Sequence, residues 1–130
     1  MGRPRQTHCH RGHELSPQNR SKGIGRCKLC VSQEAYEEGL RRKREVLTHY
    51  GKNGTLQCCW EDCEVTDLDM LSLDHINNDG AEHRRAYNGQ GGERVYVLLK
   101  RQGYPPICQT LCWNHQWKKE MQRRRGIRAL

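Results

Sequence analysis

The sequence predicts a small, zinc-stapled α+β protein, and three observations predict this class. The chain has 130 residues, of which 34% are hydrophobic and none is Phe, so it cannot build a large core. Its mean hydropathy of −1.05 agrees with this. The chain has eight cysteines and seven histidines, and several of them form close pairs, which is typical of zinc ligands rather than disulfides in a cytosolic chain. Two short apolar strands lie among amphipathic helices, and a core this thin needs metal sites for its stability.

The charge of the chain predicts a polyanionic partner. Lys and Arg number 23 against 15 acidic residues, so the net charge is +8 and the pI is about 9.3. The positive residues occur in runs, at 41–44 and 123–125, and such clustering favours contact with phosphates. We therefore expect double-stranded DNA as the partner.

The beginning of the chain bears on its location. MGRPRQTH is basic and polar and has no apolar stretch of the kind found in secretory leaders. No apolar run approaches the length of a membrane span. We therefore expect a cytoplasmic protein that is neither secreted nor bound to a membrane.

Residues 1–31 are predicted to form a basic arm and a first zinc knuckle. Arg3 and Arg5 flank Pro4, a pattern that would suit an arm entering the minor groove of DNA, and in the absence of DNA a disordered tail is expected instead. Two ligand pairs follow, each in a tight turn that zinc would join to the other. They are Cys9-x3-His13 and Cys27-x2-Cys30. His8 and His10 remain alternatives to His13, which is preferred because a short loop lets its ring reach back to the metal.

Residues 32–50 are predicted to form a helix that links two metal modules. Ser32 is suited to cap its start, and Gly51 stands just past its end. One face carries the cations Arg41, Arg42 and Arg44, which either contact DNA or form a solvated surface.

Residues 51–125 are predicted to form the second module. We expect strands at 71–74 and 107–111, helices at 81–87, 93–102 and 113–125, and a basic tail at 126–130. The closing helix carries the cations Lys118, Lys119, Arg123 and Arg124, all predicted to contact DNA.

A second zinc site is predicted to join the two ends of this module. Cys63 pairs with Cys58 or Cys59, and Cys112-x2-His115 gives the other pair across roughly fifty residues. Cys59 is favoured over Cys58, and Cys108 is a further alternate, because Cys108-x3-Cys112 is also a possible pair. The role is structural, since four protein ligands leave no open position for catalysis.

Asp74 and His75, at the end of the first strand, are predicted to be catalytic residues. A carboxylate suits a hard cation such as Mg²⁺ or Mn²⁺, and an imidazole that is neutral near pH 7 can take a proton from water. Gln116 in the closing helix is the candidate for a second metal ligand. His83 and Arg84, followed by Arg85, either contact the scissile phosphate or order the loop.

At these residues the chain resembles the zinc-bearing His-Asn-His (HNH) endonucleases of phages and mobile introns. The resemblance covers about residues 57–119 and rests on C-x3-C, LSLDHINNDGAEHRR, GYPP and QTLCWNH-x3-K. Several phage members also carry an amino-terminal knuckle like the one at 9–30. The resemblance implies a ββα-metal fold in which His75 is the general base and Asp74 binds the catalytic ion.

Two departures from the family pattern leave alternatives open. His115 stands where the family has a second cysteine, and Gln116 stands where it has a metal-binding Asn or His. Either the zinc site is Cys3His with Gln116 on the catalytic ion, or His115 serves that ion and Cys108 completes the zinc, or the ion is held poorly. The family's middle Asn is replaced by Ile107, and in such relatives a backbone carbonyl can orient the imidazole.

The expected function is that of an HNH DNA endonuclease, with two structural zinc ions and one catalytic Mg²⁺ or Mn²⁺. One active site cuts one strand, so a monomer would nick the duplex, and a double-strand break needs two sites or two encounters. We expect a monomer or a weak dimer on DNA. Homing is one of the biological settings open to it, and a phage protein would work in the host cytoplasm. The alternative is a zinc-stapled DNA-binding module with weak or lost catalysis.

Overall fold

The computed structural model describes residues 2–23, 25–86 and 93–129, with side chains throughout except at positions 93 and 127–129. These ranges contain four α-helices and one two-stranded sheet, so the mixed α+β class is confirmed. In chain order the elements are α1 (Lys28–His49), β1 (Leu71–His75), α2 (Gly80–Ala86), α3 (Glu93–Arg101), β2 (Cys108–Cys112) and α4 (Trp113–Ala129). The chain divides into two compact units, residues 1–40 and 41–130, and the division falls within α1.

Helix α1 begins four residues earlier than predicted. It starts at Lys28, directly after Cys27, so Cys30 lies in its first turn, and the backbone N–H of Leu29 donates to Asn19 Oδ1 at 3.1 Å. Asn19 therefore satisfies a helix-start N–H group from ten positions away, and Ser32, the predicted cap, lies inside the helix. After α1, Gly51 allows a tight turn, because a Cβ at this position would collide with the carbonyl oxygen of Thr55.

Strands β1 and β2 pair in antiparallel register. Leu71 lies opposite Cys112, and His75 lies opposite Cys108. Strand β1 includes His75, one residue more than predicted, and β2 is shifted by one residue toward the carboxyl end. Helix α4 starts immediately after β2, so the sheet and α4 form one continuous framework for the side chains at the end of β1.

The three remaining helical predictions need small corrections. Helices α2 and α3 occupy Gly80–Ala86 and Glu93–Arg101, close to the predicted 81–87 and 93–102, and position 87 is outside the described residues. Helix α4 continues to Ala129, so positions 126–129 are helical rather than a tail, and position 130 is outside the described residues.

The core of the second unit joins the end of α1 to the sheet. Leu47, Leu71 and Leu111 are fully buried, and burial of one such side chain stabilises a fold by about 1.5–3 kcal/mol. Thr110 in β2, also fully buried, donates its hydroxyl to the carbonyl oxygen of Leu47 at 2.7 Å. A second cluster lies beside it, formed by Val46, Tyr50, Val95, Leu99 and Cys108.

The first unit has far less buried apolar surface. Among its described side chains, the buried hydrophobic ones are Cys27 and Cys30. Across both units, no helix in the described ranges has the length and apolarity needed to cross a membrane.

Candidate metal centres and catalytic site

The first unit brings together the four predicted ligands Cys9, His13, Cys27 and Cys30. His13 Nδ1 lies 3.4, 3.6 and 3.4 Å from the sulfur atoms of the three cysteines, and the Cys9 and Cys30 sulfurs are 3.5 Å apart. Ligand atoms about 2.0–2.3 Å from a tetrahedral zinc ion are separated by about 3.3–3.8 Å. The cluster therefore has the dimensions of a zinc site, and His13 rather than His8 or His10 completes it.

The electrostatics of this cluster also favour a cation. Burial, with added effects of neighbouring Cys9 and Cys27, raises the pKa of the Cys30 thiol to about 11. Burial opposes ionisation of Cys27 as well, but hydrogen bonds from the Cys30 backbone and from Asn19 lower the pKa of the Cys27 thiol to about 6. One thiol of the cluster therefore ionises readily, and its negative charge opposes ionisation of the next unless a positive charge lies between them. A bound metal ion supplies that charge and allows each sulfur to bind as a thiolate.

The second unit contains a similar cluster at the end of the sheet. Its members are Cys58, Cys63, Cys112 and His115. His115 Nδ1 lies 3.6 Å from Cys58 Sγ and 3.2 Å from Cys112 Sγ, and the sulfurs of Cys63 and Cys112 are 4.0 Å apart. Two Cys/His clusters compatible with structural zinc are thus present, as predicted.

The choice of Cys59 over Cys58 is wrong. The Cys59 thiol turns away from the cluster and donates to the carbonyl oxygen of Tyr50 at 3.2 Å, while Cys58 is fully buried at the cluster. The backbone causes this difference, because the N–H of Cys59 donates to the carbonyl oxygen of Thr110 in β2, whereas that of Cys58 donates to Val65. Adjacent side chains then point to opposite sides.

Cys108 lies outside the second cluster. Its side chain is buried beside Tyr50 and Val95, and burial raises the pKa of its thiol to about 12, with a smaller effect of the Asp74 carboxylate. His115 belongs to the metal cluster instead, with its ring stacked on Trp60 at a centroid distance of 4.8 Å. The Cys3His arrangement therefore describes the cluster, with Cys58 as the third cysteine.

Asp74 is buried where β1 faces α4. Its Oδ2 accepts hydrogen bonds from Gln109 Nε2 at 2.9 Å and from Lys119 Nζ at 2.7 Å. Lys119 also donates to the carbonyl oxygen of His75 at 2.8 Å. Lys119 was predicted to contact a DNA phosphate, but in the structure its ammonium group binds the end of β1. Gln116 donates its amide nitrogen to the carbonyl oxygen of Leu73 at 2.9 Å, which leaves its amide oxygen as its remaining polar atom.

His75 belongs to a chain of side-chain contacts with His83 and Gln102. Gln102 Oε1 lies 3.1 Å from His83 Nε2, and His83 Nδ1 lies 3.2 Å from His75 Nε2. If the Gln102 oxygen accepts a hydrogen bond from His83 Nε2–H, then His83 Nδ1 accepts one from His75 Nε2–H. This tautomer of neutral His75 has its lone pair on Nδ1.

The surroundings keep His75 neutral and its Nδ1 open. Burial lowers the pKa of His75 below its usual value, and the nearby His83 and Arg84 lower it further against the opposing effect of Asp79 and Asp74. A Cβ at position 80 would lie 3.0 Å from His75 Nδ1, so Gly80 leaves space at this atom. An uncharged imidazole with an accessible lone pair is the form that a general base requires.

Three residues near His75 were missed by the sequence analysis. Gln102 orients His83, Gln109 holds Asp74, and Asp79 has one buried carboxylate oxygen, Oδ1, for which the described residues provide no hydrogen-bond partner. Gln102 and Gln109 lie at least 19 positions from their partners, and no spacing in the sequence indicates such contacts.

A concave pocket lies beside His75 in the second unit. It has a volume of about 220 Å³, and its lining residues are Lys43, Leu71, Ser72, Leu73, His75, Arg84, Val95, Tyr96 and Trp113. Trp113, the first residue of α4, is 61% exposed.

The cations predicted to bind DNA have varied surroundings. In the first unit Arg3 and Arg5 are exposed. In the second unit Arg41, Arg44, Arg85 and Lys118 are exposed, whereas Arg42 and Arg84 are partly buried. Arg123 and Arg124 are exposed and both form ion pairs with Glu120.

Comparisons with known proteins do not identify a family for this chain. A scan of protein-family models and searches of curated proteins and solved structures find no match to the chain.

Proposed function

We propose that this protein is a metal-dependent DNA endonuclease of the HNH type that nicks double-stranded DNA. The observation that carries the proposal is the pair at the end of β1. The pKa of His75 is lowered by burial, Gly80 lies beside its Nδ1, and Asp74 offers a buried carboxylate next to it. The net charge of +8 supports a nucleic acid as the substrate.

The arrangement around this pair also supports the proposal. β1, β2 and α4 would correspond to the ββα elements of the family, and the cluster of Cys58, Cys63, Cys112 and His115 would hold them together as a structural zinc site. His83 would take over the orienting role of the family's middle Asn, since it contacts His75 Nε2 directly. The replacement by Ile107 is then compatible with activity.

Asp74 is a carboxylate of the kind that a hard divalent cation prefers. Lys119 Nζ contacts Asp74 Oδ2 at 2.7 Å, so an ion at Asp74 would have to displace this ammonium group. Mg²⁺ sites usually contain one or two carboxylates, with water and substrate phosphate supplying the remaining ligands. Asp74 would hold the ion, with the amide oxygen of Gln116 as a second ligand.

The protein groups would then share the work of hydrolysis. His75 Nδ1 takes a proton from the attacking water, and the hydrogen bond from His75 Nε2 to His83 keeps the ring in place. A bound Mg²⁺ or Mn²⁺ ion would supply neutralisation of the charge on the phosphate and on the leaving oxygen. Arg84 and the exposed cations of the second unit would hold the DNA backbone.

The direct test is conversion of supercoiled plasmid to the nicked form. Purified protein is incubated with Mg²⁺, Mn²⁺ or no added divalent ion, beside His75→Ala and the control His49→Ala. His49 is an exposed histidine of the same unit that stacks on Tyr104. Metal-dependent nicking that His75→Ala loses and His49→Ala keeps is expected. Equal nicking by both variants would exclude His75 as the base.

A zinc-stapled DNA-binding module is the second candidate. The contacts of Lys119 with Asp74 and of Gln116 with Leu73 favour it, because both side chains are engaged within the protein. Retardation of DNA in a gel with no cleavage under any metal condition would support this module and overturn the nuclease proposal.

A further inference from the structure

The pocket beside His75 has the composition of a nucleotide site. The side chains of Leu73 and Val95 give it an apolar surface, and Tyr96 and Trp113 add aromatic rings. Ligand pockets for drug-sized molecules hold about 300–1,000 Å³. A pocket of about 220 Å³ is therefore suited to one planar ring system rather than to two.

The charges in the pocket select an anionic ligand. The cations Lys43 and Arg84 line it, and no acidic side chain is among its described lining residues. The Lys43 ammonium also donates to the carbonyl oxygen of Leu68 at 2.9 Å. A ligand that combines a flat apolar ring with a negative charge matches both features. An uncharged aromatic compound would leave these cations without a counter-charge, and an acidic peptide side chain would lack the flat ring.

Trp113 gives this pocket an open stacking surface. Trp113 is 61% exposed, although large aromatic side chains contribute most to stability when they are buried. Exposed rings next to cations are typical of proteins that stack nucleic-acid bases. Trp117, one turn further along α4, is 60% exposed but does not line the pocket, and Arg124 lies 5.6 Å from its ring centre.

We infer that this pocket holds one nucleotide of the DNA strand next to the cleavage position, with its base against Trp113 and its phosphate near Arg84. The inference rests on the proposed function, because it assumes a DNA substrate at His75. It adds that one base leaves the stack of the duplex, which costs less free energy at mismatched or single-stranded positions. Cleavage is then expected to prefer such positions.

The test measures stacking directly and requires no cleavage. A short single-stranded oligonucleotide with one 2-aminopurine base is titrated with protein in the absence of added Mg²⁺ or Mn²⁺. Stacking of that base on Trp113 quenches its fluorescence. Trp113→Ala is expected to abolish the quenching and to weaken binding about tenfold. Trp113→Phe should retain part of both effects, and the matched control Trp117→Ala should retain nearly all.

Two outcomes would overturn the inference. Equal weakening by Trp113→Ala and Trp117→Ala would show a general contact with α4 rather than a base in the pocket. Quenching of the free 2-aminopurine mononucleotide, but not of the oligonucleotide, would show a site for small nucleotides instead of a DNA strand. Zinc content and circular dichroism establish that each variant is folded.

Arg84→Gln provides a second measurement that leaves Trp113 in place. If Arg84 contacts a phosphate, the slope of log affinity against log salt should decrease by about one. An unchanged slope would remove the phosphate half of the inference. Quenching that depends on Trp113, in a protein that never cleaves plasmid, would disprove the endonuclease proposal and support the nucleotide site in the pocket. Plasmid nicking without quenching would support the endonuclease proposal and disprove the nucleotide site.

Discussion

The ion pair between Asp74 and Lys119 allows the proposed catalytic ion to be tested by stability alone. The side chains are only 8% and 18% exposed, and Lys119 Nζ also donates to the carbonyl oxygen of His75. Lys119→Met would leave a buried carboxylate with the hydrogen bond from Gln109. Removal of one partner of a buried ion pair costs about 3–5 kcal/mol. Because Gln109 remains and Lys119 is partly accessible, we expect a loss near the lower limit, about 3 kcal/mol.

A divalent ion at Asp74 should reverse part of this loss. The wild-type protein must displace Lys119 before an ion can bind, whereas Lys119→Met presents a free carboxylate. Mn²⁺ at about ten times its dissociation constant would stabilise the variant by about 1.4 kcal/mol. The wild-type protein should gain less at the same concentration, since the displacement opposes binding.

Urea unfolding followed by tryptophan fluorescence measures both effects. All three tryptophans lie in residues 41–130, so the signal reports this unit. The control is Lys118→Met, an exposed neighbour whose replacement should change stability by less than about 0.5 kcal/mol. Equal stabilisation of wild type and Lys119→Met by Mn²⁺ would refute competition at Asp74. A loss below about 1 kcal/mol would refute the buried pair.

Three further predictions concern the two kinds of site. In a colorimetric chelator assay, Cys58→Ser should contain one zinc ion per chain fewer than wild type, whereas Cys59→Ser should keep the wild-type zinc content. Loss of zinc from Cys59→Ser but not from Cys58→Ser would contradict the assignment of Cys58 to the second cluster. In NMR spectra that correlate ring protons with ring nitrogens, neutral His75 should carry its proton on Nε2. In His83→Ala, both neutral tautomers of His75 should be populated. A proton on Nδ1 in the wild-type protein would exclude Nδ1 as the base. Gly80→Ala should fold but nick plasmid at least about tenfold more slowly, because its Cβ would crowd His75 Nδ1, and an unchanged rate would show that water does not approach there.

Much of the framework could be predicted because ligand spacing and periodicity are local signals. Cys9-x3-His13 and Cys112-x2-His115 each contribute two ligands from one turn, and the strands around Leu71 and Leu111 are short apolar runs. These signals place the elements to within a few residues.

The incorrect predictions concern positions whose structure is determined by residues far away in the sequence. Asn19 bonds the N–H of Leu29 at the start of α1, and β2 binds the backbone of Cys59, which leaves Cys58 for the metal cluster. Likewise, Gln102 contacts His83, which in turn contacts His75. Each of these contacts depends on the folded backbone, so neither residue type nor spacing indicates it.

The near-parallel stack of Trp60 on His115, with an interplanar angle of 6°, gives the second metal cluster an intrinsic optical reporter. Bound Co²⁺ absorbs visible light and quenches a nearby indole, whereas Zn²⁺ is spectroscopically silent. Trp113 and Trp117 are exposed and should emit at longer wavelengths than the partly buried Trp60. Metal exchange at this cluster could therefore be followed in real time at the blue edge of the emission spectrum, without an added dye.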